Sequence, residues 1–156
     1  MAKIQSQSPP FRTIELIPHR FEPFEEKDEP NFGSWVISSI CLKKEEKTYS
    51  SLGSYFQMGD FIKLIKVIKR IEISQKLNFN LEPLEPNFTL LLNKAENSDL
   101  IQLICHFAPE IEYDNEKVIP VNSVTVDFQT NISELHSFAK QLNTEVKQIK
   151  YPSRLP

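Results

Sequence analysis

The chain has 156 residues, 40% hydrophobic and 25% charged, with a formal net charge of −3 and only three glycines. One core serves roughly 100–200 residues, so a single domain is expected, and a chain of ~150 residues needs neither a metal nor a disulfide to hold it together. The hydrophobic fraction excludes a disordered chain and the slight acidity argues against a dedicated nucleic-acid binder. Gly33, Gly53 and Gly59 are too scattered to cradle a phosphate.

Residues 1–10, polar and closed by Pro9-Pro10, predict a loose tail, with a single domain over 11–156. They lack the apolar stretch of a signal peptide, and no apolar run reaches the ~18 residues of a membrane helix. A cytoplasmic protein without a membrane partner is expected. Cys41 and Cys105 each sit in an apolar run without Cys-x-x-Cys spacing, which favours free thiols in a reducing compartment over a disulfide between them and predicts no metal or cofactor.

Phe11 to Ile17 predicts a first strand, with Ile14 and Leu16 on one face and Pro18 ending it. Residues 18–33 predict a long acidic loop holding Pro18, Pro23 and Pro30; loops beyond ~12–15 residues are usually functional or mobile. Ser34 to Leu42 and Thr48 to Phe56 predict a hairpin across the charged turn Lys43 to Lys47. Phe61, Leu64, Ile65, Ile68 and Ile71 follow the i, i+3, i+4, i+7 spacing of an amphipathic helix at about 59–74, with Asp60 at the positive end of its dipole. Strands follow at 77–81, 88–92, 100–107 and 121–128. Turns separate them at Glu82-Pro83, Lys94 to Asp99 and Pro109 to Lys117.

Asn131, with Glu134 three residues on, predicts a capping box opening a second helix. Ile132, Leu135, Phe138, Ala139, Leu142, Val146 and Ile149 form its apolar face. Phe56-Gln57 and Phe128-Gln129, 72 positions apart, each close a strand just before a helix. This suggests an internal duplication of strands then helix. The expected fold is α+β: one domain, a mostly antiparallel sheet of six to seven strands, and two amphipathic helices.

Catalytic candidates are few. His19, His106 and His136 show no metal-ligand spacing. Cys105 and His106 are adjacent, but neighbours on a strand point to opposite faces and cannot form a nucleophile–base pair. Cys105 could still meet His19 or His136 in space, so a small enzyme or ligand-binding protein using Cys105, His106 or His136 stays open. Glu82 and Glu85 flank Pro83 and precede Pro86 in a rigid turn. That turn is either a stiff solvated connection or an acidic contact for a basic partner.

Charge is segregated: acidic at 15–29 and 110–116, basic at 43–76. On the first predicted helix Lys63, Lys66 and Arg70 share one face. This is a solvated face or a contact for nucleic acid, and the absence of an interleaved aromatic disfavours the second. The acidic segments suit a basic protein partner, since complementary charge raises association rates and sets specificity. The expected contacts are Glu25, Glu26, Asp28 and Glu29 first, then Glu82 and Glu85, then Glu112 and Asp114. Phe21, Phe24 and Phe32 are candidate apolar anchors beside them, or fold back as a lid on the core.

The order of landmarks adds a resemblance. Gly33-Ser34-Trp35-Val36 opens a strand, Gly53-Ser54-Tyr55-Phe56 closes the next, and a helix starts from Gly59-Asp60-Phe61. Leu81-Glu82-Pro83 leads into Phe88-Thr89-Leu90, Val124 to Phe128 forms the last strand, Ile132 to Leu142 opens the terminal helix, and Tyr151-Pro152-Ser153-Arg154 closes the chain. Over most of residues 11–154 this resembles the WapI family of immunity proteins. The resemblance implies a non-catalytic protein that docks on a cognate toxin domain, often a nuclease, and blocks it. It implies no catalytic residue. The proline-rich acidic stretch at 18–33 departs from the family pattern.

Overall fold

Alternating apolar residues build a four-stranded antiparallel meander in the first half of the chain. The computed structural model describes residues 1–22 and 31–149. Strands β1 (Ala2–Gln5), β2 (Arg12–Phe21), β3 (Trp35–Lys44) and β4 (Lys47–Gln57) lie side by side in that order. Ala2, Leu16 and Ile40 align in one row, and Ile4, Ile14 and Leu42 in the next, all fully buried. Helix α1 (Met58–Lys69) follows directly.

The second half repeats the plan. β5 (Leu77–Leu81), β6 (Phe88–Lys94) and β7 (Leu100–Phe107) form a meander. The chain then leaves the sheet as a separate hairpin, β8 (Glu110–Asp114) and β9 (Lys117–Val121), and returns as β10 (Val124–Asn131) beside β7. Helix α2 (Ile132–Lys147) ends the described fold. The two helices pack on each other, and α2 lies against β1 and β2, so the last helix closes over the first sheet. Each buried aliphatic or aromatic side chain in this shared core contributes about 1.5–3 kcal/mol.

The repeat is visible in the buried positions, but its frame is 74, not 72. Gln57 and Asn131 cap the two helices, with Asp60 and Glu134 three residues on. The buried residues Met58, Phe61, Leu64, Ile65 and Ile68 of α1 match Ile132, Leu135, Phe138, Ala139 and Leu142 of α2 one for one at that spacing. The Phe-Gln pairs are therefore two residues out of register. A shift of two keeps a side chain on the same strand face, which is why the sequence pattern tolerates it.

Several boundaries differ from expectation. Residues 2–5, expected in a loose tail, form β1, because Ala2 and Ile4 fill the core over α2. Pro18 does not end β2; the register shifts between Pro18 and Arg20, and such an irregularity is where a strand accommodates proline. Residues 109–117, expected as a turn, hold most of the β8–β9 hairpin, whose side chains alternate between two exposed faces and leave no buried period to read. The described residues thus hold ten strands rather than six or seven. α1 stops at Lys69, although Ile71 is still buried just past its C-cap. Buried Lys94 of β6 helps to hold the segment between α1 and β5, donating to the carbonyl oxygen of Ile73 at 2.7 Å as well as to that of Ala95 at 3.1 Å.

Polar links join the halves. Arg12 of β2 pairs with Glu45 at 2.7 Å and Asp127 of β10 at 3.2 Å, and also donates to the Asp127 carbonyl oxygen. The Gln7 N–H donates to the Gln129 carbonyl oxygen at 3.0 Å.

Candidate functional site

The described residues that flank the acidic stretch, Glu22 before it and Asn31 to Ser34 after it, are held by hydrogen bonds. Glu22 donates its backbone N–H to Trp35 O at 2.9 Å and accepts from Ser54 Oγ at 3.0 Å. On the far side, Asn31 to Ser34 form a tight turn: Asn31 N–H donates to Ser34 Oγ and Gly33 N–H to Asn31 Oδ1, both at 2.8 Å. This turn docks on the start of α1. Met58 and Gly59 donate to the Ser34 and Phe32 carbonyl oxygens, each at 2.8 Å. Glycine suits this close approach, since a Cβ at position 59 would stand a tight 3.0 Å from Phe32 O. Asp60 accepts from Gln57 N–H at 2.8 Å. Burial pushes its carboxyl above the usual range, against the opposing pull of that N–H and of Lys63.

The second acidic segment is the turn 82–87. Asn80 Nδ2 donates to Glu82 Oε1 at 2.7 Å, while Pro83 is buried and fixes the turn. Asn87 ties it to the root of the third segment: its side chain donates to Ala108 O, and Ala108 N–H donates to Asn87 O, both at 2.8 Å. The third segment is the β8–β9 hairpin itself.

These three segments root on one aromatic cluster. Phe56, beside the α1 start, packs on Phe88, which follows the acidic turn, with ring centroids 4.9 Å apart. Tyr55 meets Phe107, the last residue of β7, edge-on at 5.3 Å. Phe88 and Phe107 are register partners on β6 and β7. Tyr55 is held by a 2.6 Å bond between its hydroxyl and Ser51 Oγ, and it folds over Gly53, where a Cβ would stand 2.9 Å from the ring.

Glu82, Glu112 and Asp114 are exposed and Glu85 is half-buried. Glu25, Glu26, Asp28 and Glu29 lie outside the described residues, as does Phe24. Of the 21 acids in the sequence, 11 fall within 22–30, 82–87 and 110–121, against only Lys27 and Lys117. The remaining sequence is net basic, so the near-neutral total conceals charge that is segregated along the chain.

Each segment also carries a solvent-facing apolar side chain: Phe32 is 65% exposed, Leu84 74% and Tyr113 70%. Of the expected anchors, Phe32 is therefore available, whereas Phe21 is buried in the core. Leu84 and Tyr113 were not legible as anchors. The signal that could have found them is a lone apolar residue within two positions of an acid on each side, Glu82-Pro83-Leu84-Glu85 and Glu112-Tyr113-Asp114.

The other constellations are not assembled. Cys41 and Cys105 are free thiols. Cys105 is buried in the core and desolvation pushes its thiol far up, while His106 faces outward to Thr125 Oγ1 at 2.7 Å. His19 is exposed and bonded to Ser39 Oγ at 2.6 Å, and His136 is exposed on α2, so neither meets Cys105. Lys63, Lys66, Lys69 and Arg70 are exposed along α1; Lys63 Nζ stands 6.0 Å over the Phe79 ring of β5, a half-buried aromatic the sequence did not place there. Among the described residues no helix is long and apolar enough to cross a membrane.

Comparison with known proteins matches the family model of the WapI-like immunity proteins over residues 6–152. The chain belongs to the WapI-like immunity protein family. The matched span takes in every strand but β1, both helices and all three acidic segments. A search of curated proteins returns no match. The chain is also similar to a solved structure of the plant transcriptional regulator PBF-2, at 9% identity and a TM-score of 0.47, covering 94% of this chain and 80% of that one.

Proposed function

We propose that this chain is a non-catalytic immunity protein that binds a cognate toxin domain and blocks it through the acidic end of the fold. Family membership supplies the class of function. The observation that supports the site is the rooting of three acidic segments on the Tyr55, Phe56, Phe88 and Phe107 cluster. In this account Glu25, Glu26, Asp28, Glu29, Glu82, Glu85, Glu112 and Asp114 steer a basic toxin surface onto the protein. Phe32, Leu84 and Tyr113 supply the apolar anchors. The division of labour follows general physics: exposed charges chiefly raise the association rate, whereas buried apolar anchors at the centre of an interface slow dissociation. A toxin that cleaves nucleic acid fits this chemistry, because a phosphate-binding surface is basic and an acidic end competes for it.

Co-expression tests this reading. The toxin domain encoded beside this chain is induced alone or with it, and survival is scored. Protection together with a stable purified complex is the expected result. Equal killing with and without this chain would remove the reading.

A further inference from the structure

The β8–β9 hairpin pairs only with itself among the described residues. Its register sets Glu110 opposite Val121, Ile111 opposite Pro120, Glu112 opposite Ile119, Tyr113 opposite Val118 and Asp114 opposite Lys117. Asn115 and Glu116, at φ 47° and 67°, form the two-residue turn with the positive φ values such hairpins require. The pair closing that turn, Asp114 and Lys117, exchanges its backbone bonds across the ladder, and bonded and non-bonded pairs alternate from there. Tyr113, Val118, Ile111 and Pro120 therefore turn their backbone groups outward. Pro120 fits this register, since it has no N–H and sits where the ladder asks for none.

The two outer edges are thus unequal. Pro120 removes a donor from the edge of β9. The edge of β8 keeps the N–H and C=O of both Ile111 and Tyr113. A solitary two-stranded ribbon is marginal in water, and a third strand stabilises it. This ribbon moreover exposes Tyr113, Val118 and Ile119.

We propose that the outer edge of β8 receives an extended segment of the toxin as a third antiparallel strand. The inference rests on the immunity reading above and names the contact within it. Glu110, Glu112 and Asp114 share one face of β8, and Ile111 and Tyr113 the other. Residues directly opposite on a neighbouring strand stand about 4.5–5.5 Å apart, where opposite charges attract and like charges repel. The incoming segment is therefore one that alternates Lys or Arg with apolar residues. A second copy of this chain is a poor occupant, because two β8 edges would set acids against acids.

The test uses the full-length chain and the purified toxin domain encoded beside it. Hydrogen exchange in the complex is expected to slow at the Ile111 and Tyr113 amides at least tenfold relative to the free chain. Ile111→Pro removes one outward N–H and leaves the hairpin's own bonds in place, as Pro120 does across from it. It is expected to weaken toxin binding at least tenfold, while Ile111→Val, which keeps the amide, changes affinity less than threefold. If the wild-type complex forms but neither amide is protected, or Ile111→Pro binds as tightly as wild type, the strand-addition inference falls and the immunity reading stands. If the wild-type chain does not bind the toxin at all, both fall together.

Discussion

Excising the β8–β9 hairpin separates what folds this protein from what it is proposed to bind. Phe107 and Val124 are register partners, with Ala108 to Ser123 between them. Replacing Pro109 to Ser123 by Asn-Gly keeps Ala108, with its bonds to Asn87, and leaves a three-residue connection of a common hairpin type. No residue from 110 to 121 belongs to the core, so no core burial is lost. Shortening the connection from 16 residues to three lowers its closure cost by at most about 1.5 kcal/mol, taking (3/2)RT ln n. The excised chain is therefore expected to be as stable as the parent or up to about 1.5 kcal/mol more stable in urea unfolding. The same change removes Glu110, Glu112, Asp114 and Glu116 together with Tyr113, and binding to the toxin domain is expected to weaken by at least tenfold in calorimetry. A loss of more than about 1 kcal/mol of stability would refute the view of the hairpin as an appendage. Undiminished binding would refute its role as a contact.

Other outcomes follow from particular side chains. Gly53→Ala places a Cβ 2.9 Å from the Tyr55 ring, and such overpacking is expected to cost about 1–3 kcal/mol in thermal or urea unfolding. Cys41 has its thiol pushed up by burial and then by Glu15; below its raised pKa less of it is thiolate than in a free cysteine, so iodoacetamide labels it slowly, and Glu15→Gln speeds the labelling. The Asp60 carboxyl is raised in the folded state, so the native chain holds this proton more tightly than the unfolded one and its contribution to stability grows as pH falls through that range. Asp60→Asn is expected to flatten that dependence while keeping an acceptor for Gln57 N–H, whereas Asp60→Ala loses the cap at a cost of about 1 kcal/mol.

The class of fold and both helices were legible because their apolar residues recur with a clear period. The Asn131 cap is the plainest case, accepting from Glu134 N–H at 2.8 Å. What escaped had no such period. β1 is four residues long and sits among Gln, Ser and Pro, and only its contact with α2 makes Ala2 and Ile4 core residues. The β8–β9 hairpin exposes both faces, and its turn uses Asn115-Glu116 where glycine is the usual second residue. At the site, the acids at 82, 85, 112 and 114 were legible as charge. Their common root was not, because the Phe56–Phe88 and Tyr55–Phe107 contacts join strands far apart in sequence.

The central claim is that the toxin docks on the acidic end. Its most direct test is the salt dependence of affinity for the purified toxin domain, compared between wild type and a variant carrying Glu82→Gln, Glu85→Gln, Glu112→Gln and Asp114→Asn. The account predicts that the variant binds on the order of tenfold more weakly at low salt, chiefly through slower association, and that its affinity falls less steeply as salt rises. A variant neutralised at Glu96 and Asp99, outside the three segments, is expected to match wild type. Equal affinity and equal salt dependence for wild type and the four-site variant would contradict the account.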